Sequence, residues 1–421
     1  EAKLTLVHCE NYEAFFVQLN AEIQERLEFE QARLMTVFSR LFFESFPLEE
    51  LESANLRDVY ASTYFFWNQF QRLDRSRPRV QVFNPTLDEH GWTSDHTIVA
   101  VFARDMPFLL DSLRLALDRR NIPINMLHSS VFEVERNARF ELLEFWGPNP
   151  DSARARERTA PREALIYLEI HRHSANSDFE DIARDLDSVI ADVSLAVEDF
   201  AAMRARAQNI LEDLEQSPPD CIPQADTDES REFIAWMLDD HFTFLGVTEV
   251  VATLEDNGRA IREAPDRRLV LLKKHDRSKP VEYLHAMNPR AASRWLEPRL
   301  LGFAKSSVRS TVHRSIYSDY VTIKHFDEDG EVARETRFLG LFTSRAYTQS
   351  PFRIPVVRRK LEAVMAQANV QPNHHQGRYL EHVLECYPRD ELFQTSVPTL
   401  SKIATGITRP HERQQVRLLV R

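Results

Sequence analysis

Nine glycines stand in 421 residues, and no two lie closer in sequence than Gly330 and Gly340. Average usage is about 7%, so roughly two-thirds of the expected glycines are missing. Loops that cradle phosphate need glycine, because their backbone takes positive φ and must approach the ligand closely. Neither G-x-G-x-x-G nor G-x-x-x-x-G-K-[ST] can be written anywhere in the sequence. The chain carries no recognisable nucleotide- or dinucleotide-binding fold of its own.

The length exceeds one ordinary core, and a prior of about 150 residues per domain gives two to three domains. With 43% hydrophobic and 28% charged residues, the composition is that of a globular, soluble protein. A net charge of −12 argues against nucleic acid or an acidic membrane surface as partner. No apolar run approaches the ~20 residues that span a bilayer. Cys9, Cys221 and Cys386 are far apart and odd in number. They fit a reducing cytoplasm and give no metal spacing. The first residue is Glu1 rather than Met, and residues 414–421 alternate like a strand with nothing to pair against. The chain therefore reads as a piece of something longer.

Apolar residues from Phe16 to Phe42 recur mostly at helical spacing over 12–46, and Pro47 restarts a helix expected to run to about Leu73. Its Tyr64-Phe65-Phe66-Trp67 run reads as core packing. A strand over 97–102 leads into the turn Arg104-Asp105-Met106-Pro107, with Pro107 as first helical residue and Asp105 or Met106 as cap. A helix with Leu109, Leu113 and Leu117 on one side follows, then strands over 124–135 and 164–172 and one long helix from Asp178 to about Gln216. Strand–helix–strand–strand–helix is the split βαβ, ferredoxin-like order, the arrangement used by ACT modules. Ser217-Pro218-Pro219 opens a linker, and Asp256-Asn257-Gly258 and Asp329-Gly330 mark hairpins of a second, mostly antiparallel module. From Pro355 onward the pattern is helical again.

Several strings resemble one family: Phe242-Thr243-Phe244-Leu245-Gly246, Lys305 through Arg314, Arg337-Phe338-Leu339-Gly340-Leu341-Phe342, Ser350-Pro351 through Ile354-Pro355, Tyr387-Pro388-Arg389-Asp390, and Asp105-Met106-Pro107-Phe108. They are similar to the large bacterial NAD-specific glutamate dehydrogenases, over nearly the whole chain and in the right order. The resemblance implies an α+β fold: an ACT-like (ferredoxin-like βαββαβ) module, a second antiparallel-sheet module that is ACT-like or PAS-like, and flanking helical segments. The expected boundaries are a helical segment over 1–76, an ACT-like domain over 77–216, a linker over 217–227, a second domain over 228–370, helices over 371–412 and the start of a further domain at 413–421. The resemblance further implies a regulatory region. NAD and the catalytic residues belong to the full-length enzyme's C-terminal catalytic region, and this chain binds no cofactor or metal.

Two candidate effector sites emerge. The turn Asp105-Met106-Pro107 lies where a strand end meets a helix N-terminus, a place that can hold a carboxylate through free amides. Phe108 would crowd a ligand there, which favours a plain packing module. On period two, Lys305, Ser307, Arg309, Thr311 and His313 project from one strand face, a row of donors suited to an amino-acid carboxylate or dicarboxylate. The competing reading is a solvated face or a set of salt bridges. Arg358-Arg359-Lys360 reads as a charged exposed face or subunit contact. Asp239-Asp240-His241 reads as capping, and His171 with His173 lacks a third metal ligand. The chain is thus expected to be the cytoplasmic regulatory or assembly region of a homo-oligomeric glutamate dehydrogenase, inactive alone. The alternative is a pure oligomerisation scaffold without an effector.

Overall fold

The computed structural model describes residues 2–44, 46–72, 77–147, 161–256, 258–270, 281–314, 316–368 and 374–408. The stretch 413–421, expected to open a further domain, lies outside the described residues. The chain divides into two compact units, Glu1–Ser194 with Thr311–Ser315, and Leu195–Ser310 with Ile316–Arg421.

The first unit opens on four helices: α1 (Ala2–Arg26), α2 (Phe29–Phe43), α3 (Leu48–Ser53) and α4 (Leu56–Gln71). The helix expected from Pro47 onward therefore breaks at Asn55, whose side chain accepts the Arg57 N–H and caps α4. Next come β1 (Arg79–Phe83), a single turn α5 (Leu87–His90), β2 (Thr97–Arg104), α6 (Leu109–Arg119), β3 (Ile124–Arg136), β4 (Leu142–Trp146), β5 (Arg162–Ile170) and α7 (Asn176–Glu198). The sheet order is β1-β2-β5-β3-β4, antiparallel throughout. Strands β2 and β3 run parallel, crossed over by α6, with β5 between them, as the split βαβ reading requires. The closing strand departs from it. Among the described residues of this unit no strand follows α7, and the edge beside β2 is filled by β1, which precedes the core in sequence.

Alternation along these strands splits two apolar layers. Ile98, Ala100, Phe102, Phe132, Leu165 and Tyr167 pack with Phe38, Phe42, Phe66, Trp67 and Phe70 of α2 and α4. The Phe70 and Phe132 ring centroids lie 4.7 Å apart, in the range where aromatic pairs add to plain burial. Val99, Val101, Ile166 and Leu168 point the other way and are equally buried. The buried stripes of α6 and α7 (Leu113, Leu117, Ile182, Leu186, Ile190, Val193) serve this second layer. Arg120 at the end of α6 reaches Asp185 of α7 at 2.5 Å.

Two local expectations fail here. Pro107 is not the first residue of α6. Phe108 takes φ +68° as its N-cap, so the helix begins at Leu109, and neither Asp105 nor Met106 caps it. The long helix over 178–216 divides at Asp199, a bend at φ −85° and ψ −2° between α7 and α8 (Phe200–Gln216), although the Asp199 N–H still donates to the Leu195 carbonyl at 3.1 Å.

The second unit takes in α8 and α9 (Gln224–Trp236) and a six-stranded antiparallel sheet. Its strands are β6 (Phe242–Glu255), β7 (Gly258–Val270), β8 (Glu282–Tyr283), β9 (Leu301–Arg309), β10 (Tyr317–Phe326) and β11 (Val332–Phe342), in the order β8-β7-β6-β11-β10-β9. Helix α10 (Pro289–Leu296) connects β8 to β9. Beyond the sheet come α11 (Ser344–Thr348), α12 (Val357–Ala368), α13 (His375–Glu385), α14 (Arg389–Gln394) and α15 (Val397–Thr408). One sheet face is aromatic: Phe342 stacks on Phe393 of α14 at 4.5 Å, and Phe303 meets Phe233 of α9 at 5.2 Å. Gly340 is obligatory, because a Cβ there would collide with the Thr243 carbonyl oxygen and the Phe242 ring at a register shift between β11 and β6. Gly330, at φ +76°, closes the β10–β11 hairpin as its Asp-Gly pair predicts.

The basic run on α12 is not a free charged face. Arg358 binds Glu229 and Glu232 of α9, Arg359 binds Asp226, and Lys360 donates to the carbonyls of Leu392, Phe393 and Thr395 at the end of α14. These cations join helices within the unit and satisfy the last carbonyls of α14. Burial pulls the Lys360 ammonium down to about 8.

Candidate effector site

At the start of α6, Asp105 donates its N–H to the Arg162 carbonyl (3.0 Å), Met106 is buried with its sulfur 3.5 Å from Ser194 Oγ, and Pro107 is exposed. Residues 311–315 belong to the same unit, and His313 sits against the turn, its ring 4.8 Å from that of Phe108. The His313 N–H donates to Ser112 Oγ (3.1 Å), and Nδ1 lies 3.4 Å from the Asp111 carboxylate. An imidazole therefore occupies the space beside the first turn where an effector carboxylate was expected.

The polar strand also divides. Strand β9 ends at Arg309, so only Lys305, Ser307 and Arg309 share a strand face. The chain then bends. Ser310 N–H bonds to the Ile316 carbonyl, and His313 takes φ +69°. Thr311 and His313 thus leave the face that period two gave them. Ser307 and Arg309 are exposed, with the Arg309 guanidinium 5.4 Å from the Tyr317 ring. Lys305 is committed to protein partners, Asp319 of β10 at 2.8 Å and Asp390 of α14 at 3.0 Å. Burial works against its charge, but the bonds to both carboxylates outweigh it and raise its pKa. Asp319 is pushed up to about 6, since its burial costs more than the ammonium returns. These two ion pairs engage the Lys305 ammonium within the unit.

Sequence reasoning missed the opposite face of this sheet. A cleft of about 280 Å³ lies there between α10 and strands β9, β10, β11 and β6. Its floor includes one rung across three strands, Thr322, Arg337 and Thr248, and Gly302 of β9 is the next residue along that rung by register. Arg337 pairs with Glu335 at 2.6 Å, and Thr248 donates to Glu263 at 3.3 Å. Alternating polar residues on β10 and β11 carried a signal for this face, but an outer solvated face reads the same way. A larger hollow of about 620 Å³ beside the 217–221 linker and the β10–β11 hairpin is a shallow acidic surface around Asp213, Asp220, Asp327, Glu328 and Asp329. Its acids do not converge: among the described residues no group of three metal-ligating side chains comes together.

Residues 38–186 match the family described as glutamate dehydrogenase, ACT1 domain, and residues 354–413 match glutamate dehydrogenase, helical motif 1. Over 405 residues the chain is 38% identical to the NAD-specific glutamate dehydrogenase of Halomonas elongata, covering 96% of this chain and 25% of that protein. The Pseudomonas aeruginosa NAD-specific glutamate dehydrogenase is 37% identical over 406 residues, 96% of this chain and 24% of its own length. The chain is a relative of the NAD-specific glutamate dehydrogenases. A Mycobacterium tuberculosis glutamate dehydrogenase of the same description is 25% identical over 323 residues, 76% of this chain. The chain spans about a quarter of the length of the two glutamate dehydrogenases it matches at 37–38%. The ACT1 match covers the first sheet and part of the aromatic helices that pack on it, while the motif match takes in α12 to α15.

Proposed function

We propose that this chain is the N-terminal regulatory and assembly region of an NAD-dependent glutamate dehydrogenase. The full enzyme would convert L-glutamate, NAD and water to 2-oxoglutarate, ammonium and NADH with residues outside this chain. The single observation that carries the reading is the asymmetry of coverage: 96% of this chain aligns with only a quarter of its relatives, and what aligns includes an ACT1 domain. That no glycine-rich nucleotide loop can be written in the sequence supports a catalytic region outside this chain. In the described residues no helix is long and apolar enough to cross a membrane. We place the protein in the cytoplasm, as a homo-oligomer whose partners are its own catalytic region and copies of itself.

In the second unit the described strands form two hairpin runs, β6–β7–β8 and β9–β10–β11, with β11 returning beside β6, and none of them repeats the helix-crossed parallel pair flanking a third strand that β2, β5 and β3 make in the first unit. That favours a PAS-like over an ACT-like description. A scaffold reading of the first unit draws support from His313, which fills the α6 turn. The test is direct. The purified chain with NAD and L-glutamate gives no rise in NADH absorbance, whereas the full-length enzyme does. A sustained rate from the chain alone overturns the assignment.

A further inference from the structure

Each of the two sheets ends on two edge strands, and an edge offers a row of backbone N–H and C=O groups to any strand that can pair with it. Folded proteins guard such edges by making them very short, by placing a charge in them or by bulging the ladder. Three of the four edges here are guarded. Strand β8 has two residues. Strand β9 holds Lys305 at its centre, and its ladder with β10 shifts register. Strand β4 holds Glu144 at its centre, and its ladder with β3 also shifts. Strand β1 has no such device. Its five residues pair with β2 without a shift, from Arg79↔Phe102 to Phe83↔Ile98. Its one charge, on the first residue Arg79, is turned back to Gln69 (2.6 Å) and the Arg72 carbonyl (3.3 Å). Beyond the β2 ladder, no backbone group of residues 79–83 has a hydrogen-bond partner among the described residues.

The side chains of β1 suit a copy of themselves. Gln81 and Phe83 stand on the face of the aromatic helices, and Val80 and Val82 on the other, all of them half-buried. Gln81 Oε1 is buried without a donor, an acceptor that the single chain leaves unmet. Antiparallel pairing of β1 with the β1 of a second copy, centred on Gln81, sets Arg79 against Phe83, Val80 against Val82 and Gln81 against its own counterpart. No like charges meet. The same operation on β4 opposes two Glu144 carboxylates, and on β9 two Lys305 ammoniums, which is destabilising. We propose that β1 is a self-association edge, by which two copies of this chain join their five-stranded sheets about a two-fold axis. The valines close one face of the junction. On the other, the two Gln81 amides lie within cross-strand reach, each bringing an N–H to an oxygen that lacks one. The inference rests on the assembly role proposed above and names its surface.

Sedimentation equilibrium of the 421-residue chain is expected to show a reversible monomer–dimer equilibrium. Val80→Lys combined with Val82→Lys sets like charges against each other across the axis and should weaken dimerisation at least tenfold. Val80→Lys combined with Val82→Glu sets opposite charges there and should restore it. A second readout does not depend on how those variants fold. With Cys9, Cys221 and Cys386 replaced by serine, mild oxidation of Gln81→Cys should give a covalent dimer. Leu143→Cys, on the exposed part of the β4 edge, should not. Dimerisation that survives the two lysines, two folded double variants that dimerise alike, or equal cross-linking at both positions overturns the inference and leaves assembly to another surface. A chain that stays monomeric at every concentration overturns the inference and the assembly role together. The NADH assay is independent, so either failure leaves the family reading standing.

Discussion

Glu229 of α9 accepts the backbone N–H of Val356 at 2.6 Å, and Val356 is a β-branched residue held at φ +68°. Few side chains tolerate that region less well. The strain persists because the same carboxylate also binds Arg358 at 2.7 Å, fixing the entry to α12 from both sides. Val356→Gly removes the strain and should raise stability by about 0.5–1 kcal/mol. Glu229→Ala strands the N–H and the guanidinium and should lower it by about 1–3 kcal/mol. Urea denaturation of both variants checks the pair. Loss of stability in Val356→Gly would contradict the strain argument.

A second relationship carries the first unit. Arg136 and Glu163 form a bidentate pair with side chains only 2% exposed, Nε to Oε1 at 3.0 Å and Nη2 to Oε2 at 2.8 Å. The remaining guanidinium hydrogens go to the carbonyls of Phe70, Gln71 and Phe140, so one buried cation closes the end of α4 onto the sheet. Glu163→Gln leaves that cation uncompensated and should destabilise by about 3–5 kcal/mol. A thermal melt that barely moves would show that the pair is replaceable.

How much of this was legible follows from what each signal measures. Hydrophobic period reveals elements, and the strands over 124–135 and 164–172 came out within two residues of β3 and β5. Strand β1 escaped because five half-buried residues at an edge show little contrast. The polar row from Lys305 to His313 was misread because period two assumes a strand that continues, and Arg309 ends this one. Residue types gave no warning, since a positive φ at His313 is set by where the bend must go. Long-range partners were wholly hidden: nothing near Lys305 in sequence names Asp390, and nothing near Arg358 names Glu229. The cleft needed four strands in register before Thr248, Arg337, Thr322 and Gly302 could be seen as neighbours.

Asp319 gives the first of two pH effects of opposite sign. Its carboxyl rises from 3.8 to about 6 on folding, because burial outweighs the Lys305 ammonium. Between those values the folded chain holds a proton that the unfolded chain has released, so stability falls as pH rises through that window. Asp319→Asn removes this slope while Lys305 keeps Asp390 at 3.0 Å. Relative to wild type, the variant should gain about 1–2 kcal/mol between pH 5 and pH 7.5. Denaturation curves at the two pH values decide it, and an unchanged difference would show that Asp319 is ionised throughout.

His325 works the other way. Its Nδ1 accepts from Arg334 Nη2 (3.1 Å) and its Nε2 faces Thr336 Oγ1 (3.0 Å), which fixes the neutral tautomer with hydrogen on Nε2. Burial first, and the Arg334 guanidinium second, push its pKa from 6.5 down to about 4. The unfolded chain gains this proton as pH falls through about 6.5, and the folded chain only near 4. The stability fully present above that window is therefore lost as pH drops across it, and no more is lost below. His325→Gln removes the titration and should flatten stability against pH, recovering on the order of 2 kcal/mol relative to wild type between pH 7.5 and pH 5. In the Asp319→Asn background the same comparison excludes the opposing carboxyl. Parallel curves for the two chains, or an imidazole that titrates near 6.5 by NMR in the folded protein, would defeat the claim that Arg334 and burial hold His325 neutral.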